Sequence, residues 1–129
     1  MGSQQLATTF TRPGVAAGGI ERISVESAVG ESVVVLVFYP SDFGPQSGQS
    51  AALLRAVEEV TDGADAASYG VAPESPHSHQ RFAAESDIEI PLVSDADGSL
   101  ADAYGVARTG EGGQPLAERS LFALDYRGV

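Results

Sequence analysis

The side chains able to do chemistry crowd into one stretch, Tyr39-Pro40-Ser41-Asp42-Phe43-Gly44-Pro45-Gln46-Ser47, with His77, His79, Asp95, Asp97 and Arg119 further along. Ser47 is the candidate nucleophile, and a serine hydroxyl attacks only when a neighbouring base takes its proton. The nearest imidazoles in sequence, His77 and His79, fall on another element, and no Gly-x-Ser-x-Gly elbow surrounds Ser47. A helix cap is therefore the stronger reading of Ser47 and a serine hydrolase the weaker one. His77 and His79 stand two apart, on different sides of a helix, so they read as solvated residues at a helix start rather than a metal pair. Asp95 and Asp97 border a turn and lack the remaining ligands of a calcium loop. Arg119 is expected either to pair with an acid such as Asp42 or to hold a small anion near Ser47. Neither a metal nor a cofactor is expected.

The 129 residues contain no cysteine, which removes disulfides, thiolate metal sites and thiol chemistry at once. Eighteen acids face seven bases, all arginine, for a net charge of −11. That field repels nucleic acid and anionic membranes, so neither is expected as a partner. An acidic surface without lysine fits a halophilic protein, kept soluble in molar salt where screening removes the self-repulsion. The longest apolar run, residues 33–39, is far too short to span a bilayer. Met-Gly-Ser-Gln-Gln at the start carries neither a basic region nor an apolar core, so a cytoplasmic chain is expected.

The elements that must position these residues follow from periodicity. Val33–Phe38 is too apolar and β-branched for anything but a buried strand, and Pro40, Asp42 and Gly44-Pro45 then punctuate a loop. Leu53, Leu54, Val57 and Val60 recur at helical spacing behind Ser47, with Gly63 in the stop position. A strand, a short loop and a helix N-terminus together favour negative charge at the loop. Residues 1–20 read as a polar, glycine-rich lead-in anchored by Phe10, residues 21–25 as a short strand, and Val29-Gly30 as a turn. Residues 64–72 read as an interior strand, despite poor propensity, and Ser75-Pro76 as a helix start leading to Phe82 and Ala83. Residues 88–93 form a strand, 95–98 a turn, 99–104 a short helix, 107–117 a polar loop, 119–124 the last strand, and 125–128 a hairpin turn. Alternating strands and helices argue an α/β sheet with helices on both faces, in one domain.

Tyr39-Pro40-Ser41-Asp42-Phe43 resembles the active-site segment of the peroxiredoxins, the alkyl hydroperoxide reductase/thiol-specific antioxidant (AhpC/TSA) family, whose pattern is Tyr/Phe-Pro-x-Asp-Phe-Thr-x-x-Cys. Residues 74–82, 90–98, 103–106 and 119–125 resemble further family segments in the same order and with matching gaps. The resemblance implies a thioredoxin-like, peroxiredoxin-type fold across residues 1–129 as a single domain. In that family a thiolate attacks the O–O bond of a peroxide and another thiol recycles it. Matched residue by residue, Pro40 and Arg119 keep two pocket positions, Gly44 stands at the family threonine, and Ser47 stands at the peroxidatic cysteine. Ala52 occupies the place, five residues on, of a resolving cysteine. The resemblance further implies a small peroxide or anion as ligand and a homodimer among the assemblies. Family members continue past the 125–128 turn with another strand and a C-terminal helix, so an open sheet edge and self-association are expected. Three functions follow: a silent peroxiredoxin-like protein, a thiol peroxidase whose cysteine was exchanged for serine, or a binding module on the same scaffold. Gly44 and Ala52 support the first.

Overall fold

The computed structural model describes residues 10–25, 33–44, 47–62 and 66–124. Its elements run β1 (Thr11–Ala16), β2 (Gly19–Ser24), β3 (Val33–Phe38), α1 (Ser47–Asp62), β4 (Ala66–Ala72), α2 (Pro76–Ser86), β5 (Leu92–Ser94), α3 (Ser99–Ala103), β6 (Ala107–Thr109), β7 (Pro115–Ala117) and β8 (Ser120–Leu124). Six strands form a mixed sheet in the order β2-β1-β5-β4-β3-β8, while β6 and β7 make a separate two-stranded ribbon. β3, β4 and β5 are parallel, and β8 returns antiparallel to β3 with Ser120 opposite Phe38.

β3 supplies both cores because successive side chains of a strand point to opposite faces. Val34, Leu36 and Phe38 enter one core, joined by Leu100 and Ala101 of α3. Val37 and Tyr39 enter the other, under Leu54 and Val57 of α1 and Phe82 of α2. Leu36, Leu54 and Leu92 have no solvent exposure, and each such side chain stabilises the fold by about 2 kcal/mol. Phe38, Tyr104 and Phe122 stack as a trio with ring centroids 5.0 to 5.7 Å apart, adding about 0.5–1.5 kcal/mol per pair.

β4 forms in spite of its composition because packing requires it. A side chain at Gly70 would bring a Cβ within 2.7 Å of Leu92 and 2.9 Å of Leu54. The glycine that weakens strand propensity is thus what lets α1 and β5 close on the sheet.

Several expectations need correction. The lead-in contains β1, whose residues 11–16 pair with β2 and whose Gly14 and Val15 also pair with β5; Pro13 and Gly14 hide the strand from propensity, and pairing on both sides overrides them. The strand expected over 88–93 shrinks to Leu92–Ser94, with Ile88 and Ile90 buried from irregular backbone before Pro91. The polar loop over 107–117 is the β6–β7 ribbon. The turns at Val29-Gly30 and 125–128, and the stop at Gly63, lie outside the described residues. Among the described residues no helix is long and apolar enough to cross a membrane.

Candidate functional site

The site lies where three parallel strands end. Loops leaving the carboxyl ends of parallel strands enclose the usual crevice of an α/β sheet, and here they are 40–44 after β3, Pro73-Glu74 after β4 and 95–96 after β5. Pro40 has no N–H to extend the ladder, so the chain turns away after Tyr39, whose own N–H still reaches Val71 O at 3.1 Å. Arg119 precedes β8, and the Ser120–Phe38 register sets it beside the same end of β3. A cavity of about 600 Å³ results. Pro40, Ser41 and Phe43 line one wall, Ser50 and Arg119 another, Pro73 and Glu74 a third, and Gln114, Pro115 and Leu116 of the ribbon region close it.

The sequence-derived site residues divide. Pro40 and Arg119 line this cavity, whereas Ser47 and Gly44 are not among its lining residues. Ser47 is the first residue of α1, and its N–H donates to Gly44 O at 3.2 Å. Gly44 has φ 144°, a left-handed conformation that a β-branched residue adopts only under strain. Arg119 does not pair with Asp42; its Nη2 donates to Ser50 Oγ at 3.1 Å. Ser50 sits one helical turn beyond Ser47 and is almost fully buried, so the hydroxyl facing the cavity is Ser50's.

A second polar centre lies beneath the loop. Asp42 is completely buried, and its carboxylate accepts from Tyr39 Oη at 2.7 Å and Ser78 Oγ at 2.7 Å. His79 Nδ1 lies 2.8 Å from Asp42 Oδ2, and His79 Nε2 donates to Val93 O at 2.9 Å. A carbonyl only accepts, so Nε2 carries hydrogen, and one further proton lies between Nδ1 and the carboxylate; wherever it rests, the pair is neutral as a unit. His79 is therefore not solvated: it is fully buried, while His77 is exposed. The signal was present in the spacing, since His79 falls three residues before Phe82 on the apolar face of α2. That helix starts as expected, with the Ser75 side chain capping the Ser78 N–H and proline at its first position.

Burial, then the charge of Asp42, holds the Tyr39 hydroxyl well above its usual pKa of 10.0. Glu74 is held above its usual 4.5, first by burial; the Asp42 N–H bond opposes this, the Asp42 charge adds to it, and His79 lowers it. Asp95, buried beneath the cavity, accepts from the N–H groups of Leu100 and Ala101 at 2.9 Å each and starts α3. Among the described residues no cluster of three or more His, Asp or Glu side chains is placed to hold a metal.

Comparison with known proteins identifies the family and the fold. The AhpC/TSA family profile matches residues 4–129. The peroxiredoxin Bcp of Xanthomonas campestris pv. campestris is 34% identical over 125 residues, covering 95% of this chain and 77% of the relative. A bcp relative in Coxiella burnetii is 30% identical over 109 residues, and the match spans 66% of its length. Among solved structures, the Xanthomonas campestris bacterioferritin comigratory protein superposes with a TM-score of 0.75 at 32% identity, covering 95% of this chain and 78% of that one. The thioredoxin-like peroxiredoxin fold implied by the sequence segments is thus the fold observed. The chain belongs to the AhpC/TSA family, the peroxiredoxins, and does so without a cysteine in its 129 residues.

Proposed function

We propose that this chain is a non-peroxidatic peroxiredoxin: it keeps the family cavity as a place to hold a small peroxide or anion and performs no thiol chemistry on it. The observation that carries the reading is Ser47, which opens α1 at the position matched to the family's peroxidatic cysteine. Sulfur accepts oxygen from a peroxide and becomes a sulfenic acid; a serine oxygen has no equivalent two-electron oxidation. Activation as a hydrolytic nucleophile finds no support either. The buried imidazole, His79, has both nitrogens engaged, by Asp42 and by Val93 O.

The rival reading, a thiol peroxidase merely missing its sulfur, requires the rest of the loop to be intact. Gly44 speaks against it, because its φ of 144° leaves no relaxed place for the family threonine. A net charge of −11 without lysine supports assaying the chain in molar potassium chloride. Intact-mass spectrometry after exposure to hydrogen peroxide tests the proposal simply. The expected mass gain is at most one oxygen, at Met1, whose sulfur is the single one of the chain; a gain of more than one oxygen would contradict it.

A further inference from the structure

Glu74 stands in the cavity wall opposite the part of the site the family resemblance points to, and it is anchored three times. Its N–H donates to Ala72 O at 2.8 Å, and its carbonyl accepts from Ser94 Oγ. Its side chain accepts the Asp42 N–H at Oε2, 3.0 Å away. No protein donor among the described residues meets Oε1. A flexible glutamate at a strand end is normally solvated and mobile; this one is oriented, half-buried and left with one oxygen to spare beside an open cavity.

The group that orients it is itself fixed by charge. The peptide N–H that Glu74 accepts belongs to Asp42, and the Asp42 carboxylate is locked by Tyr39, Ser78 and His79 at 2.7 to 2.8 Å. His79 in turn is tied to β5 through Val93 O. The chain of contacts therefore runs from β5 through His79 and Asp42 to Glu74. We propose that Glu74 is the ligand-reading acid of this cavity, oriented by the Asp42–His79 pair acting as positioning residues, and that its spare oxygen takes a hydrogen bond from a donor on the bound molecule. The ligand class is then one with a donor at one end, such as a hydroperoxide or hydroxyl, rather than a bare anion. This rests on the cavity being a ligand site.

The titratable and charged groups around Glu74 are Asp42, Tyr39 and His79 beneath the loop and Arg119 in the same cavity lining, and of these Asp42 and His79 leave signed marks on its titration. Asp42 raises the proton affinity of Glu74 through its charge, and His79 lowers it. Carbon-detected NMR titration of the labelled full chain reads this directly. Glu74 is expected to titrate above the ordinary glutamate value of 4.5 in the parent. Asp42→Asn should move it down and His79→Gln should move it up, each by about threefold or more in the proton dissociation constant. The ligand-reading role is decided by adding tert-butyl alcohol, an unreactive hydroxyl donor, to the same samples. The Glu74 carboxyl signal should shift with the alcohol in the parent and less in Asp42→Asn and His79→Gln, whereas no shift in the parent, or a shift in both variants equal to the parent's, would overturn the proposal. Should one variant fail to fold, the alcohol shift in the other decides. No peroxide enters the experiment, so its failure is separate from any failure of the non-peroxidatic reading.

Discussion

Around Asp42, Tyr39, Ser78 and His79 satisfy a buried carboxylate with three partners and expose none of it. Around Ser47, a few residues along the same connection, a half-buried hydroxyl opens a helix and follows a left-handed glycine, Gly44, at the position we match to the family threonine. The two regions share a loop and differ in what the fold asks of them. A buried charge pair cannot lose a member without leaving the other unpaired in a low dielectric. A side chain at a partly exposed helix start holds little up, so a change of serine to cysteine at position 47 should cost folding little. The fold therefore enforces the first centre and leaves the second to function alone.

The largest effect should come from breaking the enforced centre. Asp42→Ala leaves His79 and Tyr39 without their acceptor and is expected to cost about 3–5 kcal/mol in chemical denaturation. An unchanged midpoint would show that the network is packing without electrostatic weight. Next is Gly44→Thr, which restores the family residue at a backbone angle of 144°; a loss of about 1–3 kcal/mol is expected. If that variant is as stable as the parent, the loop relaxes freely and the two regions are less different than drawn here.

The frame of this molecule was readable from sequence because it rests on local signals. Val33–Phe38 announces a buried strand, Ser75-Pro76 announces a capped helix, and the family segments order them. β1 was not readable, since Pro13 and Gly14 argue against a strand that only its two neighbours stabilise. The Asp42–His79 pair was missed for a related reason: the residues are 37 apart in sequence, and only the parallel pairing of β3, β4 and β5 brings them together. Pro40 and Arg119 reach one cavity through the antiparallel register of β3 and β8, but the hydroxyl that meets Arg119 is Ser50, one helical turn beyond Ser47, a difference that spacing alone could not choose.

Smaller perturbations sharpen the contrast. Ser50→Ala removes one acceptor of Arg119 and should cost about 1 kcal/mol, as a single hydrogen bond does; Ser47→Ala should cost less, and a reversed order would make Ser47 the structural residue. The smallest effect is in pH dependence. Glu74 binds its proton more tightly folded than unfolded. Its protonation therefore contributes stability that is full below pH 4.5 and is lost as pH rises through the raised folded value. Compared with Glu74→Gln, the parent should lose about half a kcal/mol or less across that window, discounted for solvent screening. A parent that instead gains stability relative to the variant as pH rises would reverse the sign assigned to Glu74.

The most direct test of the central claim is hydrogen peroxide consumption in molar potassium chloride by the parent and by Ser47→Cys. The parent is expected to consume none above buffer, and the cysteine variant to react no faster than free cysteine, because Gly44 offers no hydroxyl beside position 47 and Arg119 Nη2 is engaged by Ser50. Rapid turnover of one equivalent by Ser47→Cys would contradict the account, showing a site still shaped for thiol peroxidase chemistry and lacking only its sulfur.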